Sequence, residues 1–186
     1  GPGGDIRVSA HRIVLRDGAQ ISTSTFGAGD AGNLTLEAGE LFLSGLNTAV
    51  SAQTRQTENG GRAGDMRLTV DRIVVRDGAL ITTTTGGSGD GGQLRITAGE
   101  IHLQSTSPER GAGIAAQTVM VGENAGRGGE LIVVADYLEI RGAAGISTAS
   151  GGSGDAGDVS VTAGRILVDS RGLPFRAGIN SEARLT

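Results

Sequence analysis

A glycine preceded by Gly or Ala opens six similar stretches, at Gly4, Gly32, Gly64, Gly92, Gly129 and Gly157, separated by 28, 32, 28, 37 and 28 residues. Self-similarity at such a period marks a stack of supersecondary units, each too small to bury its own apolar face. The openings read "GDIRVSA", "GNLTLEA", "GDMRLTV", "GQLRITA", "GELIVVA" and "GDVSVTA". All alternate apolar with mostly polar residues, the pattern of a half-buried strand. A second run follows in each repeat ("RIVLR", "ELFLS", "RIVVR", "EIHLQ", "YLEIR", "RILVD"), then a third ("ISTST", "VSAQT", "ITTTT", "IAAQT", "ISTAS", "INSEA"). No helical period competes with them.

Superposing the repeats gives columns. One inward column is Ile6, Leu34, Met66, Leu94, Leu131 and Val159; the third run contributes Ile21, Val50, Ile81, Ile114, Ile146 and Ile179. Coiled once per repeat, each strand bonds to its counterpart above and below around an aliphatic interior. The expectation is an all-β chain, a parallel β-helix (β-solenoid) of about six rungs with three strands each. An immunoglobulin-like sandwich is the alternative, but it does not require columns in register. Residues 3–186 are read as a single segment with rungs starting near 4, 32, 64, 92, 129 and 157, and residues 1–2 as a remnant of tag cleavage.

Composition agrees. Glycine numbers 34 with no G-X-Y period, which excludes collagen, and 37% hydrophobic residues are enough for a core. The chain is mildly acidic at −4 and only 2% aromatic, a poor basis for binding nucleic acid. There is no cysteine, so disulfides and thiolate metal sites are excluded.

"GGSGDGGQL" (86–94) matches the G-x-G-x-x-G dinucleotide fingerprint, with near-copies at 26–34 and 151–159. Each copy joins strand to strand, leaving no helix N-terminus for a pyrophosphate. It also departs from the calcium nonapeptide of repeats-in-toxin proteins, because Asp90 comes one residue early. Asp30, Asp90 and Asp155 fall two rungs apart, about 9.6 Å, too far to share one ion. These stretches are read as corners, with glycines at positive φ and each Asp bonding the local turn.

Chemistry is otherwise sparse. Phe26, Phe42, Tyr137 and Phe175 are scattered, and His11 and His102 occupy different strand positions. Neither enzyme activity nor a cofactor nor a metal is expected. "ISTST" and "ITTTT" suggest an ice-binding lattice, but period two sends Thr23, Thr25, Thr83 and Thr85 inward, to bond one another or the backbone near a corner. The outward residues Ser22, Ser51, Thr82, Ala115, Ser147 and Asn180 form no threonine array. Another outward column, Arg12, Glu40, Arg72, Glu100, Tyr137 and Arg165, alternates in charge and then lapses; it reads as register-setting. Longer excursions in alternate repeats are the candidate interaction loops, with Arg110, Phe175 and Arg176 the residues to test.

The alternating repeats "RIVLRDGAQISTSTFGAGDAGNLTLEAGELFLSG" (12–45) and "RIVVRDGALITTTTGGSGDGGQLRITAGEIHLQS" (72–105), with "SAQT" and "AAQT", resemble filamentous-haemagglutinin-like exoproteins of two-partner secretion. The resemblance covers essentially the whole chain and concerns the repetitive shaft alone. It implies a right-handed β-helix, export through an outer-membrane pore partner, and a secreted, cell-surface location. The implied role is structural and adhesive, toward an unknown surface receptor or glycan, and no catalytic residue is implied. A polysaccharide-acting β-helix enzyme domain and a scaffold that associates end to end are the rival readings.

Overall fold

A computed structural model of the protein describes residues 1–55, 60–106, 111–119, 125–170 and 176–183. Twelve strands follow one another: β1 (Ile6–Arg16), β2 (Gln20–Ser22), β3 (Leu34–Ser44), β4 (Ala49–Thr54), β5 (Met66–Arg76), β6 (Leu80–Thr85), β7 (Leu94–Ser105), β8 (Gly113–Thr118), β9 (Leu131–Gly142), β10 (Gly145–Ser150), β11 (Val159–Asp169) and β12 (Gly178–Ala183). The odd strands form one six-stranded sheet in the order β1-β3-β5-β7-β9-β11, and the even strands a second, β12-β10-β8-β6-β4-β2. Every pairing between these strands is parallel. The chain is an all-β solenoid without helix among the described residues, and the sandwich alternative falls with the parallel pairing.

The columns superpose as their alternation demands. Ile6 pairs with Leu34, Leu34 with Met66, Met66 with Leu94, Leu94 with Leu131 and Leu131 with Val159. Leu36, Leu68, Ile96 and Val133 lie fully buried beside them, and Val50, Ile81, Ile114 and Ile146 close the interior from the second sheet. Full burial of each such side chain contributes about 1.5–3 kcal/mol.

Three separate strands per repeat are not found. The first two runs join into one strand of 11 or 12 residues, so there are two sheets rather than three. The alternation slips where the runs meet: Ala10 is half-buried, His11 and Arg12 are both exposed, and Ile13 is buried. Two consecutive outward residues bend the strand without ending it. Glycine enters at this bend in alternate coils, because a Cβ on Gly39 would lie 2.8 Å from the His11 carbonyl oxygen.

The tight turn after β1 has positive φ at both Asp17 (52°) and Gly18 (90°), closed by Ala19 N–H donating to the Arg16 carbonyl at 3.1 Å. Asp77 and Gly78 repeat it after β5. That φ signature is the type I′ turn, for which Asp-Gly is suited. The glycines of the G-x-G-x-x-G stretches behave differently from expectation. Positive φ among glycines occurs only at Gly18, Gly45, Gly78 and Gly142 of the described residues. Gly32, Gly64, Gly92, Gly129 and Gly157 instead stack vertically, and a Cβ on any of them would collide with the carbonyl oxygen of the glycine one coil earlier. Closeness of backbones, rather than handedness of a turn, requires glycine there.

Candidate interaction surfaces

The inward threonines do what their phase predicts. Thr83 and Thr85 are fully buried; Thr83 donates to the Gly92 carbonyl (3.1 Å), and Thr85 bonds Thr54 and the Gly61 carbonyl. Thr148 repeats the link with Gly157 at 2.6 Å. These hydroxyls tie the second sheet to the glycine corner across the interior. Thr23 is the exception, buried with its Oγ1 unpartnered. On the outer side, Ser51 and Thr82 are buried despite facing outward, since Ser51 donates to Ser22 (3.0 Å) and Thr82 pairs with Thr84 (2.6 Å). Gln53, Thr82, Thr84, Gln117, Ser147 and Asn180 border a shallow, uncharged groove of about 270 Å³ there.

The aspartates of the corners are corrected in their partner. Asp30 Oδ1 accepts the backbone N–H of Arg62, and Asp90 Oδ1 that of Arg127, both at 2.8 Å. Each Asp thus bonds the next coil instead of its own turn. Arg62 and Arg127 stand between the aspartates, so the column reads Asp30, Arg62, Asp90, Arg127, Asp155. A parallel column repeats the device: Asn33 N–H donates to Asp5, Asp65 N–H to Asn33, and Gln93 N–H to Asp65. The broad groove of about 400 Å³ beside them carries Arg62, Asp90, Arg127, Glu130 and Asp158. Its charges are partly cancelled, by Arg62–Asp65 (3.1 Å) and Arg127–Asp155 (3.7 Å). No group of three or more His, Asp or Glu among the described residues is arranged to hold a metal ion.

The charged column on the odd sheet forms Arg12–Glu40 at 2.8 Å and Arg72–Glu100 at 3.6 Å. Where it lapses, Arg165 lies over the Tyr137 ring at 5.9 Å. All these groups are substantially exposed, so each ion pair contributes roughly 0.2–1 kcal/mol. Phe42 is sandwiched between the guanidiniums of Arg16 and Arg76, at 5.2 and 5.0 Å. Phe26 is 73% exposed beneath Arg55.

One cluster was missed from sequence. His102 on β7 places Nδ1 2.9 Å from Glu139 on β9 and Nε2 3.3 Å from Glu100, with the Tyr137 ring edge-on at 5.6 Å. Arg141 closes on Glu139 at 2.7 Å. A neutral imidazole has one N–H, so both carboxylates receive a hydrogen bond together only from the imidazolium. The hydrogen bond from His102, opposed by burial and assisted by Arg141, holds the Glu139 carboxyl below its usual value of 4.5. The register column Val74, His102, Glu139 was the available signal.

Arg176 is exposed just before β12, while Arg110 and Phe175 lie outside the described residues. No protein family, curated protein or solved structure matches the chain.

Proposed function

We propose that this chain is a structural and adhesive shaft segment of a secreted bacterial surface exoprotein, exported through an outer-membrane pore partner. The supporting observation is the unbroken vertical register of both sheets, which makes a rod whose length is set by repeat number. The two alternating repeat types quoted above support the choice of the haemagglutinin-like class, with the coil right-handed and three strand-forming runs per turn. The loops of alternate repeats, with Arg110, Phe175 and Arg176, present the contacts to a receptor or glycan. Beads coated with the 186-residue chain bind epithelial cells or matrix in this reading, and substitution of Arg176 with Ala weakens capture. Coated beads that bind no better than albumin-coated ones overturn the adhesive part. Turnover of an acidic polysaccharide, abolished by substituting a loop residue, establishes the enzymatic rival.

A further inference from the structure

The outer face of the odd sheet has three Arg-bearing columns: one, of Arg16, Ser44, Arg76, Gln104, Arg141 and Asp169, keeps its arginines apart, and of the remaining two only one is neutralised. Arg12, Glu40, Arg72 and Glu100 alternate in sign along theirs. The other runs Arg7, Thr35, Arg67, Arg95, Ile132, Ser160, and puts Arg67 directly against Arg95 on the adjacent strand. Like charges directly opposite destabilise a sheet. Among the described residues neither guanidinium has an ion-pair or hydrogen-bond partner, and both are exposed. The nearest acid along the strand, Asp65, is already held by Arg62 and by the Gln93 N–H. Glu130 takes the Gln93 side-chain amide, and Glu37, in register with Thr69 on the adjacent strand, pairs with neither arginine.

Beside the two arginines, Thr69 pairs in register with Thr97, and both are exposed on the same face, two residues along each strand. Strand spacing of about 4.8 Å brings two guanidinium forks and two hydroxyls within reach of a single small group. Two uncompensated positive charges match a dianion. A phosphomonoester, at about −1.5 to −2 near neutral pH with three acceptor oxygens, fits where a singly charged sulfate ester leaves one arginine unmatched.

We propose that Arg67, Arg95, Thr69 and Thr97 form a phosphomonoester-binding site on the outer face of β5 and β7. The site is independent of the shaft reading. Its occupant is free phosphate or a phosphate borne on a sugar; the two share this chemistry. Binding relieves the repulsion that the empty pair carries.

The test uses the full chain, its Arg95→Gln variant and Thr97→Val, with inorganic phosphate, glucose 6-phosphate, glucose and chloride at matched ionic strength. Calorimetric titration and thermal unfolding are both recorded. Both phosphates bind the parent and raise its Tm, whereas glucose and chloride do not. Arg95→Gln, freed of the repulsion, unfolds at a higher temperature than the parent without phosphate and binds phosphate about tenfold more weakly. Thr97→Val binds several-fold more weakly with its Tm preserved. Tighter binding of glucose 6-phosphate assigns the sugar-borne form, and equal binding assigns the free ion. Phosphate also stabilises folded proteins generally by exclusion from their surface. Equal phosphate shifts in parent and Arg95→Gln, or no binding heat in the parent up to about 10 mM, overturn the site.

Discussion

The middle coils and the last coil use the same kinds of residue at the same column positions, yet their surroundings differ. Ile96 and Leu103 in β7 are fully buried, while Val168 in β11, in the column of Leu103, is 45% exposed. Position in the stack, rather than residue type, decides what an aliphatic side chain contributes. Stability in such a rod is the sum of contacts with the coil before and the coil after.

That contrast can be broken by measurement. Ile96→Ala removes a side chain walled on every side and costs about 2–5 kcal/mol in urea unfolding, whereas Val168→Ala costs under about 1 kcal/mol. Equal losses at the two sites would refute the positional account. A second comparison lies within one glycine column. Gly92→Ala drives a Cβ into the Gly64 carbonyl oxygen and costs on the order of 1–3 kcal/mol; Gly4→Ala meets open space and changes stability by less than about 0.5 kcal/mol. The inward threonines sharpen it further. Thr83→Val strands the Gly92 carbonyl and costs about 1 kcal/mol, but Thr23→Val removes an unpartnered hydroxyl and is neutral or stabilising. Urea midpoints read both.

The pH dependence follows from Glu139. Its folded-state pKa lies below the ordinary value of 4.5. It therefore adds stability that is fully present above that value and is lost as pH falls through the folded pKa. Thermal unfolding from neutral pH downward shows this loss below about pH 4.5, and Glu139→Gln flattens that part of the profile. Among the ion pairs the expected effect is small: at Arg12–Glu40, Arg12→Ala costs roughly 0.2–1 kcal/mol, and less in high salt.

Much of the fold was legible because alternation of period two, repeated at corresponding positions, fixes register. The pairing of Met66 with Leu94 follows from that alone. Other features depend on proximity between coils, which no single repeat contains. The phase slip at His11 and Arg12 looks like a gap between strands, although the backbone runs through it. Glycines of the corners look like turn formers, but what excludes a Cβ is a carbonyl 28 or more residues away. Asp30 and Asp90 find their partners in the next coil for the same reason. The cluster around His102 joins side chains of β7 and β9 that period two marks only as outward-facing. Arg67 and Arg95 could have been read from the aligned columns, as two arginines in consecutive repeats at one outward position.

Strictly parallel pairing also governs how such a rod yields to tension between its ends. Hydrogen bonds between coils run along the long axis, so a pull opens them one after another in the manner of a zip. Each coil of 28 residues then releases roughly 90–100 Å of extended chain before the next is loaded. A tether made this way lengthens in steps and keeps its remaining coils intact.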